Sequence, residues 1–93
     1  MSKIRMNIAG GYLRTSVQAT KDQNPKLNEI EATALWLQNR YGGWIEEKME
    51  TTDYRIDDVT ESSFSIIFDN PNHEDYFVHQ VGGRIVPLEV HNG

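Results

Sequence analysis

Histidine and carboxylate side chains are the conventional catalytic groups of this sequence, and they are densest in one short polar segment. That segment contains Asp69, Asn70, Asn72, His73, Glu74 and Asp75. Oxygen-rich segments can hold a hard cation, but this one lacks the glycine bend and the closing glutamate of a calcium loop. A turn capped by its own side chains explains the same residues. A small metal-dependent hydrolase that uses His73, Glu74 and Asp75 is therefore one alternative function.

The three histidines are the other possible metal ligands, because imidazole nitrogens bind zinc. His73 lies in the polar segment, His79 lies on the apolar face of a predicted strand, and His91 is close to the last residue. We predict that His79 is a histidine at the margin of the core. The spacing of the three does not match a zinc motif, so we expect neither a metal site nor a cofactor.

Signatures of a nucleophile or a phosphate loop are absent from the sequence. There is no cysteine. Ser62, Ser63 and Ser65 fall in or beside a predicted strand and not in a G-x-S-x-G turn. The Gly-Gly pairs are not followed by the Gly-Lys-Ser/Thr of a phosphate loop. Because 93 residues can scarcely enclose a large pocket, we predict that the protein is not an enzyme.

Charge is unevenly distributed along the chain, whose formal net charge is −5. Residues 1–43 carry six basic and three acidic side chains, whereas residues 44–75, the acidic segment, carry ten acidic and two basic ones. Such a segment repels nucleic acid and attracts a basic surface. We therefore expect a protein partner with a basic surface and no direct contact with nucleic acid. A charged face that only confers solubility is the alternative interpretation.

Aromatic side chains within or next to the acidic segment could supply buried contact area, while the carboxylates steer the encounter. The predicted partner-binding residues are Trp44, Glu46, Glu47, Glu50, Asp53, Tyr54, Asp57, Asp58, Glu61 and Tyr76. In size, acidity and lack of a catalytic motif, the chain is similar to small phage-type inhibitors of nucleic-acid machinery, including anti-CRISPR and DNA-mimic proteins. The leading hypothesis is a non-enzymatic binding module of that kind.

One α+β domain spanning residues 1–93 is the fold that the elements predict. Asn24-Pro25 is typical of a helix start, and Gly42-Gly43 of a helix end, which together indicate a helix over 25–41. The helix would bury an apolar stripe at helical spacing, with Trp36 at its margin. This stripe comprises Leu27, Ile30, Ala34, Leu37 and Tyr41.

Alternating apolar residues predict strands over 63–68 and 76–81. Gly82-Gly83 would close a tight hairpin to a last strand, whose Pro87 favours an edge position. Pairing Phe68 with Phe77 would keep the apolar faces together. The predicted order is ββαβ(β)ββ with a C-terminal β-meander.

Alternation near the N-terminus, through Ile4, Met6 and Ile8 and then through Leu13, Thr15 and Val17, predicts a first hairpin or one strand broken by a bulge. Within residues 44–60, Tyr54–Asp57 favours a strand, while Trp44, Ile45 and Met49 fit a short helix or a strand.

A single helix covers only one face of such a sheet. The other face would expose Ile67, Tyr76, Val78, Ile85 and Tyr54. Burial of that patch against a second copy makes a homo-oligomeric structural or accessory protein the other alternative function. The sequence contains neither a signal peptide nor an apolar stretch of spanning length, and we expect a cytoplasmic protein.

Overall fold

Four antiparallel strands form one layer, and helices cover one of its faces. The structure is a computed structural model that describes residues 2–88, apart from the side chains of residues 12–14. The strands are β1 (Ser2–Asn7), β2 (Tyr54–Asp57), β3 (Ser63–Phe68) and β4 (Arg84–Pro87), in the spatial order β2-β3-β1-β4. The α-helices are α1 (Gly10–Tyr12), α2 (Gln18–Gln23), α3 (Glu29–Leu37), α4 (Gly43–Lys48) and α5 (Pro71–Gln80). Helices combined with an antiparallel sheet confirm the predicted α+β class.

The sheet is built around β3, the strand that the alternating pattern over 63–68 predicted correctly. β3 pairs with β1 through Ile66 and Ile4, and with β2 through Ile66 and Ile56. β4 pairs only with β1 among the described residues, so Pro87 lies in an edge strand as predicted. The strands expected at Ile4 to Ile8 and over Tyr54–Asp57 are confirmed as β1 and β2.

Alternate residues of the strands define two faces with different roles. Ile4, Phe64, Ile66 and Phe68 are buried in the hydrophobic core under the helices. The opposite face, which we call the open face, contains the residues between them. Its positions are Lys3, Arg5, Asn7, Arg55, Asp57, Ser63, Ser65, Ile67, Arg84 and Val86.

The prediction of an apolar patch on this open face is therefore wrong. Ile67 does lie on the open face but is only 5% exposed. Tyr76 and Val78 belong to α5, and the register places Tyr54 and Ile85 on the helix-covered face. Charged residues occupy the positions around Ile67, because a face that no helix covers is hydrated by long polar side chains.

The main helix begins at Glu29 and not at residue 25. Asn28 Oδ1 accepts from the Glu31 backbone N–H at 2.8 Å, and the Glu31 carboxylate accepts from the Asn28 N–H at 3.0 Å. This capping box satisfies two backbone donors at once. Asn24 instead ends α2, where its side-chain amide donates to the Thr20 carbonyl at 2.9 Å.

The main helix also continues past Gly42-Gly43. A π-helical turn, Gln38–Gly42, joins α3 to α4, and both glycines have right-handed φ values near −60°. The helix continues through the two glycines because Trp44 and Ile45 pack on the core, and this packing offsets the low helix propensity of glycine. The expected stop at residue 41 is therefore wrong, and the ambiguous Trp44–Met49 region is helical.

The buried stripe of this helix is displaced from the predicted one. Leu37 is buried as predicted, but Ile30 is 40% exposed and Trp36 is only 9% exposed. The other buried positions of α3 are Ala32 and Thr33. The helix packs on the core through the face that carries these residues, so Trp36 belongs to the core and not to its margin.

The segment predicted as strand 76–81 is helix α5. Asn70 caps the helix by accepting from the Asn72 N–H at 2.9 Å, and Pro71 is its first residue. Phe77 still meets Phe68, with ring centroids 5.8 Å apart, but across a helix–sheet contact. The predicted β-meander, its hairpin and the Phe68/Phe77 register are therefore wrong. Gly82-Gly83 adopts positive φ as expected, but connects α5 to β4.

The second N-terminal strand, expected through Leu13, Thr15 and Val17, is also helical. Leu13–Val17 forms a π-helical turn between α1 and α2. Val17 is 7% exposed and packs in the core. The residue predicted to be buried in a strand is therefore buried in a helical turn. Within residues 2–88, no helix combines the length and apolarity needed to cross a membrane.

Candidate functional site

An aspartate–histidine pair joins Asp53, which immediately precedes β2, to His73 in the first turn of α5. His73 Nδ1 lies 2.8 Å and 3.0 Å from the two carboxylate oxygens of Asp53, and the Thr51 hydroxyl donates to the same carboxylate. The backbone N–H of Asp69 donates to the Asp53 carbonyl at 3.0 Å. These bonds fix the start of α5 beside the start of β2. They also orient the His73 ring, because Nδ1 is held by the carboxylate.

A shallow depression of about 300 Å³ opens beside this pair. It is lined by Lys48, Met49, Asn72, His73 and Tyr76. Tyr76 is 47% exposed and Met49 is half-buried, so the depression combines an aromatic ring with a flexible apolar side chain. Residues of this composition provide contact area in protein interfaces.

The residues that adjoin this depression in the chain, or are connected to it through the Asp53–His73 bond, include five carboxylates. We call this surface the acidic end, and it consists of Glu47, Glu50, Asp53, Asp69 and Asp75. Glu47, Glu50, Asp69 and Asp75 are all exposed. In the described part of the chain, no ion pair involves Glu50, Asp69 or Asp75. The acidic end thus contains two carboxylates of the polar segment 69–75 and three predicted binding residues, of which Asp53 is bonded to Asp69 through the backbone.

Tyr54 and Glu46 form a separate polar contact at the outer edge of β2. The Tyr54 hydroxyl donates to Glu46 Oε2 at 2.6 Å and accepts from the side-chain amide of Gln38. Burial, together with the hydrogen bond to Glu46, raises the pKa of Tyr54 to about 12. This contact ties α4 and the π-helical turn to β2. Two of the predicted binding residues are therefore engaged in an intramolecular contact.

Asp57 and Asp58 lie at the open face and not at the acidic end. Asp58 accepts from Lys3 Nζ at 2.9 Å. This hydrogen bond to Lys3 is the largest cause that holds the pKa of Asp58 below its usual value, and the charge of Arg5 acts in the same direction. The ion pair links the end of β2 to β1, so Asp58 has a structural partner on the open face.

The remaining predicted binding residues lie apart from one another. Trp44 packs edge-to-face on Phe77, with ring centroids 5.7 Å apart, and is only half exposed. Glu61 lines a different depression, formed with α2 and α3. The ten predicted residues therefore occupy several surfaces, of which the acidic end gathers Glu47, Glu50 and Asp53 next to Tyr76.

The histidine–carboxylate groups of the alternative hydrolase do not converge. The Glu74 carboxylate is 8% exposed and accepts from the Ser2 hydroxyl at 2.7 Å, whereas His73 bonds Asp53. His79 is exposed and its Nδ1 lies 2.8 Å from the Asp75 carbonyl, so the expectation of a core histidine is wrong. His91 lies outside the described residues. Over residues 2–88, no three histidine, aspartate or glutamate side chains are grouped as metal ligands.

Acid should weaken the fold through Asp53 and Asp58. Hydrogen bonding from Thr51, with a further contribution from His73, holds the pKa of Asp53 below its ordinary value of 3.8. A folded-state pKa below the unfolded value stabilises the fold above that value, and the stabilisation is lost as the pH falls through the folded pKa. We therefore expect Asp53→Asn to reduce the difference in unfolding free energy between about pH 7 and about pH 3, measured by urea denaturation.

Asp69→Asn is the matched control for this measurement, because the exposed Asp69 side chain makes no hydrogen bond within the described residues. Its acid sensitivity should equal that of the wild type. An Asp53→Asn protein that loses as much stability in acid as the wild type would contradict the structural role of the Asp53–His73 pair.

Comparisons of the chain with protein-family models, curated proteins and solved structures find no match.

Proposed function

We propose that the protein is a small acidic binding module that occupies a basic surface of another protein, and that it does so without catalysis. The supporting observation is the acidic end, whose exposed carboxylates Glu47, Glu50 and Asp75 are chain neighbours of Lys48, Met49 and Tyr76 in the lining of the depression. Such a surface combines charge, which accelerates and orients the encounter, with apolar contact area at its centre. The partner class is a nucleic-acid-handling protein, whose basic groove would otherwise hold phosphates, as expected of a phage-type inhibitor acting in the cytoplasm.

The fold supports this proposal by separating the acidic end from the arginine pair of the open face. Asp53 and Asp69 lie at the end of the sheet where β2 begins and β3 ends. Arg5 and Arg84 pair near the other end of the sheet. Four residues of strand at about 3.4 Å each separate the two ends by more than the Debye length of about 8 Å at physiological salt. Arg5 and Arg84 therefore repel a basic partner at the acidic end only weakly, and the cations closer to that end are Lys48 and Arg55.

Charge reversal at the acidic end tests the proposal. We expect the wild-type protein to capture a basic protein from a bacterial lysate at about 0.1 M salt and to release it at about 0.5 M salt. Glu50→Lys combined with Asp75→Lys should weaken binding of the captured protein by about tenfold or more, measured by isothermal titration calorimetry. Neither side chain makes a hydrogen bond within the described residues, so the fold should persist.

Asp22→Lys combined with Glu29→Lys is the control, since it changes the net charge equally at exposed positions of α2 and α3 that are not part of the acidic end. Its affinity should stay near that of the wild type. Equal loss in the two double variants would mean that net charge alone governs binding, and unchanged affinity in Glu50→Lys/Asp75→Lys would exclude the acidic end as the contact surface.

A further inference from the structure

The open face of the sheet carries a pair of arginines that is not part of the acidic end. Arg5 on β1 and Arg84 on β4 are register partners, directly opposite each other across an antiparallel pair. Directly opposite residues have Cα atoms only about 4.5–5.5 Å apart, and like charges at that separation destabilise a sheet. Two arginines in this position repel each other, and an anion bound between their guanidinium groups would offset that repulsion.

Arg84 makes no ion pair within residues 2–88, whereas the charge of Arg5 is compensated in part by Asp58. Arg84 is exposed, and Arg5 makes one long hydrogen bond of 3.4 Å, to the Ser63 hydroxyl. Two carboxylates share the open face. Asp58 is bound to Lys3 and also interacts with the charge of Arg5, whereas Asp57 lies on β2, with β3 between it and Arg5.

A depression of about 480 Å³ lies at the pair. Its lining consists of Arg5, Met6, Asn7, Gly83 and Arg84. Two guanidinium groups and the Asn7 amide offer many N–H donors, and the described residues that line it include no carboxylate. Planar guanidinium groups bind tetrahedral oxyanions through paired hydrogen bonds, and two of them match a phosphate better than a single carboxylate.

We propose that Arg5 and Arg84 together bind a phosphate group in this depression. The site is independent of the acidic end and of the protein partner proposed for it. The phosphate belongs either to a small phosphate compound or to a nucleic-acid backbone. The described positions of the open face contain no aromatic side chain, so a nucleic acid would be held by its phosphates and not by stacked bases.

Nuclear magnetic resonance titration tests the site in two arms. The protein in phosphate-free buffer at about 0.1 M sodium chloride is titrated with inorganic phosphate and, separately, with a short single-stranded oligonucleotide. The side-chain Nε–H signals of Arg5 and Arg84 should shift and saturate in at least one arm. Saturation with inorganic phosphate alone identifies a small phosphate compound, whereas tighter binding of the oligonucleotide identifies the backbone and replaces the expectation of no nucleic-acid contact.

Arg84→Gln and Arg55→Gln form a matched pair of variants, because both residues are exposed arginines of the open face but Arg55 lies on the other edge strand. Arg84→Gln should weaken the saturating interaction by about tenfold, and Arg55→Gln should change it by less than about threefold. The absence of saturation in both arms, or equal losses in the two variants, would overturn the proposal.

Thermal unfolding supplies a second measurement that does not require a tight ligand. In phosphate-free buffer, Arg84→Gln should raise the Tm, because it removes the repulsion from Arg5. Added phosphate should raise the Tm of the wild type and leave that of Arg84→Gln unchanged, since a ligand stabilises only the fold that binds it. A lower Tm for Arg84→Gln in phosphate-free buffer would contradict the premise of an unfavourable arginine pair.

Discussion

Phe77→Ala is expected to lower the free energy of unfolding by about 3–5 kcal/mol, the usual range for deleting a fully buried phenylalanine. Phe77 is 0% exposed, and its ring contacts Trp44 of α4 and Phe68 of β3. It therefore joins three elements through one side chain. Removing the ring leaves a cavity whose walls belong to a helix and a sheet, and such walls collapse only in part. Urea denaturation of the two proteins measures the difference.

Two neighbours on α5 serve as controls for this substitution. Tyr76 and His79 are exposed, so Tyr76→Ala and His79→Ala should each change stability by less than about 1 kcal/mol. The strand predicted from the sequence would place His79 on the same buried face as Phe77. A loss for His79→Ala as large as that for Phe77→Ala would therefore contradict the helical assignment of this segment.

The type of α5 was hard to predict because its short sequence fits the period of a strand as well as that of a helix. Phe77, His79 and Val81 alternate as in a strand, yet Glu74, Phe77 and Val78 have the spacing of one helix face. Asn70-Pro71 was the signal that decides between them, because it has the same helix-start chemistry that was assigned to Asn24-Pro25. At Asn24 the signal was misleading, since Asn28 and Glu31 together satisfy more backbone donors.

The candidate sites could be predicted only in part, because they depend on strands that pair with residues far away in the sequence. β1, β2 and β3 were predictable from local alternation, but the pairing of β1 with β4 joins residues about eighty positions apart. Nothing local indicates that Arg5 faces Arg84. The acidic end was partly predictable from the charge of residues 44–75, whereas its position beside Tyr76 depends on the Asp53–His73 bond.

Gly42→Ala is expected to destabilise the protein by about 1–2 kcal/mol, although alanine is the better helix former. A Cβ at Gly42 would collide with the Gln38 side-chain amide and the Tyr54 hydroxyl. Both groups are ends of side chains and can move away. Their displacement breaks the hydrogen bonds that join Gln38, Tyr54 and Glu46, and a lost hydrogen bond costs about 0.5–1.5 kcal/mol.

Gly43→Ala is the control at the next residue of the same helix. A Cβ there meets no atom within 4 Å, and the φ of −59° suits any residue. Gly43→Ala should therefore stabilise the fold by about 0.5–1 kcal/mol, so the two adjacent Gly→Ala substitutions change the stability in opposite directions. Absorbance titration gives a second test, because displacement from its buried contact should lower the Tyr54 pKa from about 12 in Gly42→Ala and leave it unchanged in Gly43→Ala. Stabilisation by both substitutions, with no change in the tyrosine titration, would show that the contact of Tyr54 with Glu46 and Gln38 does not hold α4 against β2.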